Sequence, residues 1–140
     1  MTNQPCTITA SQAGSAIYNP ATDVVRTFTI HKATPTFSLL SSPTIEAGTA
    51  SATVTGALTF GALVPSGSVA ITINNVTETA TIGIDGSFSA TFATSALVIG
   101  GSPYAIAFNY AGDANFTDAA ASSSLVVADT TAPTIDAHAD

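Results

Sequence analysis

The residues best suited to chemistry in this chain are its carboxylates, because histidine, cysteine and basic residues are scarce. Asp113 lies in a run of turn-forming residues, and Asp129 and Asp136 flank a Pro-Thr pair near the C-terminus. Carboxylates at such a boundary can bind Ca²⁺ together with backbone carbonyls. Aspartate also stabilises turns by accepting hydrogen bonds from its own backbone, and no EF-hand spacing is present. We favour the turn role, while calcium at Asp113, Asp129 or Asp136 stays an open alternative.

Catalytic chemistry finds no support in the sequence. His31 and His138 are the only imidazoles, and neither has a cysteine or a second histidine nearby with which to hold a metal. No Gly-x-Ser-x-Gly elbow for a serine nucleophile is present. Cys6 is the single cysteine, which excludes a disulfide within the chain. We therefore predict a protein that is not an enzyme, that has no catalytic residues and that needs no cofactor, with calcium as the exception to be tested.

Composition restricts the partners. Of the 140 residues 8% are charged, and the net charge of −7 leaves Arg26 and Lys32 as the only basic side chains. Nucleic acid requires several cations against its phosphates, so this class of partner is excluded. No apolar run approaches the length of a membrane span, so membrane insertion is not expected. The N-terminus lacks the pattern of a signal peptide, so either a signal has been removed or the sequence is a piece of a longer chain.

Residues 104–110, YAIAFNY, carry the clearest structural signal in the chain. Large apolar side chains occupy every second position, which is the period of a strand with one buried face. Turn formers follow at 111–115, and Phe116 then returns an aromatic toward the core. This strand and its corner are the centre around which the rest of the fold is predicted.

Similar alternation predicts further strands, and Asn74-Asn75 and Asp85-Gly86 are turn signals between two pairs of them. About seven strands without helical periodicity predict an all-β protein, an immunoglobulin-like antiparallel β-sandwich with an additional N-terminal two-strand segment. The predicted strands lie at residues 37–41, 50–60, 68–74, 76–84, 87–93, 104–110 and 122–127. The predicted core consists of Ile71, Ile82, Phe88, Phe92, Ile106 and Phe108.

The N-terminal segment repeats the region around the central strand. A shift of 98 positions places Gly14 on Gly112 and Tyr18 on Phe116, and it aligns the Pro-Thr pairs that begin at residues 35 and 133. A fixed period of this length is typical of tandem modules. We therefore interpret residues 1–32 as the closing strands of a preceding repeat or an assembly arm, and 33–35 as a linker. By the same interpretation we expect residues 36–128 to form a complete module, and 129–140 a linker and the start of a following repeat.

The complete module resembles a bacterial immunoglobulin-like repeat domain of tandem-repeat surface proteins and adhesins. The features that carry this resemblance are Pro-Ser-Gly-Ser-Val at 65–69, Asp85-Gly86 before an aromatic strand, and the Tyr-Ala-Gly-Asp corner at 110–113. Ser15 stands at the corner position in the N-terminal copy. The resemblance implies an extracellular or cell-surface location and a spacer or adhesive role.

Three functions follow as hypotheses. The first is a non-enzymatic structural module, the stalk or spacer of a secreted or cell-surface adhesin. The second is a subunit of an extracellular filament assembled by strand addition between chains, since unpaired strand edges invite another chain. The third is a ligand-binding adhesin domain that uses loops such as 61–67. The expected partners are adjacent repeats, other copies of the same chain, or a host or cell-surface ligand. The sequence leaves open whether the terminal segments pair within one long chain or between chains.

Overall fold

Strands and the turns that join them make up most of the described protein. The structure, a computed structural model, describes residues 4–131, so the predictions made for Asp136 and His138 lie outside the described residues. Within that range the regular elements are ten strands and one 3-10 turn, Ile99–Gly101. The predicted all-β class is confirmed. The chain divides into two compact units, which we call unit 1 and unit 2, between Ala33 and Thr34.

Unit 1 is a two-stranded antiparallel hairpin of β1 (Gln4–Gln12) and β2 (Ala21–Ile30). Opposite residues share a face of such a hairpin. Cys6 pairs with Phe28, Ile8 with Arg26, and a register shift lies between Ala10 and Gln12. The other face is rich in threonine.

Unit 2 contains two sheets that share one core. The three-stranded sheet has the order β3-β5-β8, and the five-stranded sheet has the order β4-β10-β9-β6-β7. The strands are β3 (Thr36–Ser38), β4 (Thr44–Glu46), β5 (Ser51–Thr59), β6 (Ser68–Ile73), β7 (Val76–Thr81), β8 (Ser87–Ala93), β9 (Tyr104–Tyr110) and β10 (Ala119–Ala128).

Local sequence explains two of the turns in unit 2. Asn74 and Asn75 adopt φ values of 46° and 66°, which asparagine tolerates, and they join β6 to β7 in the predicted tight hairpin. In the predicted Asp85-Gly86 turn, the Asp85 carboxylate accepts hydrogen bonds from the Ser87 N–H at 3.0 Å and the Ser87 hydroxyl at 2.7 Å.

The core of unit 2 is built around Phe108, whose ring is fully buried. Its centroid lies 6.0 Å from that of Phe37 on β3 and 5.9 Å from that of Phe88 on β8, so aromatic contacts connect the two sheets. Gly56 on β5 leaves room for Phe88, because a Cβ there would lie 2.4 Å from the ring. Other core residues include Val54, Leu58, Val69, Ile71, Phe92, Ile106, Tyr110, Phe116, Leu125 and Val127.

The predicted core is wrong at Ile82, which is half-buried. Strand β7 ends at Thr81, and the chain turns where the Gly83 N–H donates to the Ser87 carbonyl at 2.8 Å. The alternation expected through residue 84 therefore stops early, and Ile84 is fully exposed. The other five predicted core residues are buried.

The first predicted strand of the module, 37–41, is shorter in the structure, where it ends at Ser38. It pairs with β5 as β3, and the chain after it crosses to the other sheet, where β4 pairs with β10. The β4–β10 pair is parallel, which corrects the prediction of a purely antiparallel fold, and unit 2 has eight strands where about seven were predicted. Pro43 precedes β4 and has no N–H for a sheet, although its carbonyl accepts from the Val126 N–H at 2.9 Å.

Candidate functional site

The carboxylate of Asp113 lies in the turn between β9 and β10. Gly112 precedes it with φ +85°, and a Cβ at that position would approach the Phe116 carbonyl oxygen to 2.9 Å. The Asp113 N–H donates to the same carbonyl at 3.1 Å, which closes the turn. Glycine is required here because it adopts positive φ without steric cost and leaves room for this close approach.

Asp113 connects its turn to a distant loop. Its Oδ1 accepts from the N–H groups of Asn115 at 2.7 Å and Phe116 at 2.8 Å. Its Oδ2 accepts from the Ser66 N–H at 2.9 Å and the Ser66 hydroxyl at 2.8 Å. Tyr110 adds a further link, because its hydroxyl donates to the Ser66 carbonyl at 3.0 Å. One carboxylate thereby fixes the loop before β6 against the β9–β10 turn.

Electrostatics agree with a structural role for this carboxylate. Burial works to raise the pKa of Asp113, but the hydrogen bonds from Ser66, Asn115 and Phe116 outweigh it and hold the pKa well below its usual range. Burial, with hydrogen bonding to Asp113 and its negative charge, raises the pKa of Tyr110 to about 12. At neutral pH the pair is therefore a carboxylate beside a neutral phenol.

The two predicted calcium ligands that the structure describes, Asp113 and Asp129, are not brought together. Asp113 precedes β10 and Asp129 follows it, so a ten-residue strand, about 30 Å long, separates them. Asp136 lies beyond the described range. Asp113 and Asp129 therefore cannot share one ion, and calcium at either residue stays a prediction.

A second carboxylate lies near Asp129 that sequence reasoning missed. Glu46, at the end of β4, accepts from the Thr130 N–H at 3.1 Å and from the Thr130 hydroxyl. Asp129 itself accepts from the Thr131 N–H at 3.0 Å and from the Thr131 hydroxyl, as a turn-forming aspartate does. No signal in the sequence connects Glu46 to this end of β10, because the parallel β4–β10 pair, which places Glu46 opposite Ala128, was not predicted.

These two carboxylates do not by themselves fit a calcium ion, which takes six to eight oxygen ligands. The described residues contain no group of three or more His, Cys, Asp or Glu side chains placed to hold a metal. They also contain no helix of the length and apolar character that a membrane crossing requires. His31 is exposed, and Cys6 is partly exposed on β1.

A groove on the surface of unit 2 is weakly polar. An open groove of about 640 Å³ on unit 2 is lined by Leu39, the middle of β5 and the start of β8, without a charged side chain. The loop at 61–67, predicted as an adhesive loop, is partly structural, since Pro65 is buried and Ser66 is held by Asp113. Leu63 remains exposed there.

The corner of unit 1 reproduces the corner of unit 2. The Ser15 N–H donates to the Tyr18 carbonyl at 2.8 Å, as Asp113 does to Phe116. The Ser15 hydroxyl accepts from the N–H groups of Ile17 at 3.2 Å and Tyr18 at 3.3 Å, the two bonds that Asp113 Oδ1 makes 98 positions later. Strand β2, shifted by 98, coincides with β10 at both ends.

The first and the last described residues of unit 2 lie at opposite ends of β10. At the start of the unit, the Thr117 hydroxyl donates to the Thr34 hydroxyl at 3.1 Å, just before β10 begins. At its other end, Thr130 follows β10 and bonds to Glu46. Because β10 lies between these contacts, Thr34 and Thr130 are separated by about the length of that strand, roughly 30 Å.

Comparison with known proteins gives similarity in fold. No family model matches the sequence, and a search of curated proteins found no match. Among solved structures, the chain is similar to a Ca²⁺-stabilized adhesin that helps an Antarctic bacterium reach out and bind ice, with 21% identity and a TM-score of 0.52. The similarity covers 91% of this chain and 32% of that one.

Another similar structure comes from a 1.5-MDa bacterial ice-binding adhesin studied for its retention at the host cell surface. Identity is 22% and the TM-score 0.49, over 88% of this chain and 41% of that one. The chain thus spans less than half the length of either solved structure. The similarity to the Antarctic protein shows a shared fold.

Proposed function

We propose that the chain is a non-enzymatic structural module of an extracellular or cell-surface adhesin, where it acts as a spacer. In this proposal unit 2 is an immunoglobulin-like sandwich, one link in a series of such modules. Its partners are the adjacent modules of the same polypeptide. The observation that carries the proposal is the placement of the first and last described residues of unit 2, with Thr34 beside Thr117 and Thr130 beside Glu46.

This placement favours extension because each added module lengthens the chain along β10. A module whose ends lay side by side would fold the series back on itself. The sealed core and the Ser66–Asp113 connection favour the same role, since they stiffen one end of the unit without presenting a reactive group. The fold shared with an ice-binding adhesin agrees with this setting.

A filament assembled by strand addition is the second candidate function. It is favoured by the exposed apolar side chains of β1 and β2, among them Ile8, Phe28 and Ile30. Strand addition would then occur between separate chains. The third hypothesis, a ligand-binding adhesin domain, has the weakest support, because the groove on unit 2 has no charged side chain and its one aromatic side chain, Phe88, is buried.

If the module binds calcium, we propose that the ion binds near Glu46 and Asp129, at the end of β10. A neighbouring adhesin in the fold comparison is Ca²⁺-stabilized, and Glu46 and Asp129 lie at the end where a following module would begin. Backbone carbonyls, waters or carboxylates of a following module would supply the remaining oxygen ligands.

Small-angle X-ray scattering on tandem copies of residues 34–131 tests the spacer function. One, two and four copies joined end to end should give a maximum dimension that increases linearly, by at least the roughly 30 Å length of β10 per copy. A compact arrangement, in which four copies are little longer than two, would overturn the proposal. If the chain instead forms a filament, the particles formed by the full chain of 140 residues should become larger as its concentration is raised.

A further inference from the structure

The hairpin of unit 1 has one apolar face that nothing among the described residues of its own unit covers. We define this apolar face as Cys6, Ile8, Val24, Phe28 and Ile30. Phe28 is opposite Cys6, and Val24 is opposite Ala10, so these side chains share one side of the hairpin. The exposed fraction is 60% for Ile8, 48% for Phe28 and 56% for Ile30. An isolated two-stranded hairpin is marginally stable in water, so a face of this kind requires a partner.

The equivalent hairpin in unit 2 shows what such a face packs against. Ile106, the counterpart of Ile8 at an offset of 98, is fully buried between the sheets. The edge of β9 away from β10 pairs with β6, and the edge of β10 away from β9 pairs with β4. The hairpin β9–β10 is therefore covered on one face and on both edges by strands β3 to β8.

The register shift in unit 1 places the apolar side chains of β2 at positions equivalent to the buried positions of β10. In β10 the buried side chains are Leu125 and Val127, whereas the apolar residues of β2 fall one position later. A shift of one residue moves a strand's side chains to the opposite face. The irregularity between Ala10 and Gln12 makes this shift.

After the shift, the apolar side chains of β2 occupy the buried places. Phe28 pairs with Cys6 as Leu125 pairs with Tyr104, the residue 98 positions after Cys6. By the same count Ile30 takes the place of Val127, whose N–H donates to Ser102 Oγ at 2.9 Å. Leu125 and Val127 are 0% and 2% exposed, so the places that Phe28 and Ile30 would fill are core positions.

Arg26, the charged residue on the same side of the hairpin, corresponds to Ser123 in unit 2. Arg26 pairs with Ile8 as Ser123 pairs with Ile106. The Ser123 hydroxyl donates to the Ser41 carbonyl at 2.7 Å. A partner equivalent to β3 to β8 therefore has a backbone carbonyl, the counterpart of that of Ser41, where the Arg26 guanidinium would lie.

We propose that unit 1 docks as the closing hairpin into a sandwich body equivalent to strands β3 to β8, supplied by a neighbouring segment of polypeptide. The strand that pairs with β1 runs antiparallel, as β6 does with β9, and the strand that pairs with β2 runs parallel, as β4 does with β10. This inference deepens the proposed spacer function by naming the partner of unit 1, and the contact can be tested without measuring extension.

The test supplies such a body to the full chain. Residues 34–101 are duplicated and joined directly to Gln4, because Gln4 stands where Ser102 does at an offset of 98. Amide hydrogen exchange of peptides from 4–30 is then compared between the extended and the original chain. We expect exchange of these peptides to slow by at least 100-fold in the extended chain, which should remain monomeric in sedimentation.

Paired variants distinguish docking from a general effect. Ile8→Asp on the apolar face should abolish the protection, whereas Thr7→Asp on the threonine face should keep it, since its counterpart Ala105 is exposed. Exchange in unit 2 reports within the same molecule that the original module remains folded. Unprotected 4–30 peptides in the extended chain would overturn the inference.

A second copy of the chain is the alternative occupant. If the original chain dimerises, and Ile8→Asp but not Thr7→Asp abolishes the dimer, the apolar face binds another unit 1 and the docking proposal is wrong. The spacer function would survive that result, because it depends on the ends of unit 2. Conversely, a compact tandem array of unit 2 would overturn the spacer function and leave the docking of unit 1 intact.

Discussion

Ser66 donates two hydrogen bonds to Asp113 Oδ2, one from its N–H at 2.9 Å and one from its hydroxyl at 2.8 Å. The two residues are 47 positions apart, so this contact joins the loop before β6 to the turn after β9. The corner in unit 1 has the same turn but a serine in place of the aspartate. The comparison separates two roles of Asp113, which closes its own turn through Oδ1 and holds the distant loop through Oδ2.

Substitutions at Asp113 should resolve these roles. Asp113→Ser keeps a side-chain acceptor for the turn, as at Ser15, but loses the hydrogen bonds from Ser66. Asp113→Ala loses the turn hydrogen bonds and the hydrogen bonds from Ser66. We expect Asp113→Ala to lower the free energy of unfolding by ~2–4 kcal/mol and Asp113→Ser by about half as much, because each of the four hydrogen bonds to this partly exposed carboxylate contributes roughly 0.5–1 kcal/mol. Urea denaturation measures both, with the exposed Asp118→Asn as a charge-matched control. Equal losses for serine and alanine would show that the turn bonds contribute nothing.

The Asp113 contribution should depend on pH. Its folded pKa lies below the unfolded value of about 3.9, so the folded state binds fewer protons and the stabilisation is present above that value. The stabilisation is lost as pH falls through the folded pKa. The difference in unfolding free energy between wild type and Asp113→Asn should therefore be greatest near neutral pH and shrink below about pH 4. A difference unchanged between pH 7 and pH 2.5 would contradict this assignment.

Tyr110 should contribute in the opposite pH range. Its folded pKa is raised to about 12, above the unfolded value near 10. Its stabilisation is therefore complete below pH 10 and is lost as pH rises toward 12. Tyr110→Phe should lower stability at pH 7 by ~1 kcal/mol through loss of the bond to Ser66, and the alkaline fall in the melting temperature should become shallower. An alkaline slope identical to that of the wild type would argue against the raised pKa.

Sequence periodicity predicted this fold well where strands are long and one face is buried. The β9 pattern predicted Ile106 and Phe108 as core residues, and both are fully buried. Pairings of short strands were not predicted, because the three residues of β4 are too few to show an alternation of apolar and polar side chains. Ile82 was assigned to the core because alternation continues past the turn that ends β7.

The candidate site was predictable only in its local part. A glycine-aspartate corner indicates a turn, and the bonds from Asn115 and Phe116 to Asp113 are of that local kind. The bonds from Ser66 to Asp113, and the approach of Glu46 to Thr130, bridge residues far apart in sequence. Such contacts depend on which strands become neighbours, and no residue pattern within either segment specifies that.

Core truncation should separate buried from exposed positions in unit 2. Phe108→Ala removes a ring that contacts Phe37 and Phe88, and we expect a loss of ~3–5 kcal/mol in the free energy of unfolding. Ile84→Ala, at a fully exposed position, should change stability by no more than about 0.5 kcal/mol. Thermal or urea unfolding of the two variants checks this. A small effect of Phe108→Ala would refute the central position of this ring.

Calcium dependence, where it exists, is expected at Asp129 and not at Asp113, whose oxygens already accept four bonds from backbone and hydroxyl donors. A rise in melting temperature with millimolar Ca²⁺ should persist in Asp113→Asn and diminish in Asp129→Asn, since a ligand stabilises the state that binds it. A rise lost only in Asp113→Asn would contradict this. An identical melting curve with Ca²⁺ and with chelator would show that Asp129 serves its turn alone.

Deletion of residues 1–33 should leave unit 2 folded. The division at Ala33 separates the hairpin from both sheets of unit 2. The strand neighbours of β9 and β10 are β6 and β4, so no backbone pairing in those sheets is lost with the hairpin. We expect the melting temperature of unit 2 to change by less than about 2 °C, because the deletion retains the buried core side chains of its described residues, from Ala52 to Val127.

The same deletion tests how unit 1 takes part in assembly. Any self-association of the full chain should disappear when residues 1–33 are removed, because the apolar side chains of Ile8, Phe28 and Ile30 leave with them. Sedimentation velocity across a wide concentration range measures this, with Ile8→Asp as the matched variant in the undeleted chain. Association that persists after the deletion would place the contact on unit 2. Unfolding of the remaining residues would show that the hairpin belongs to the core of the module. A sandwich that is complete without β1 and β2 should stay folded when they are removed.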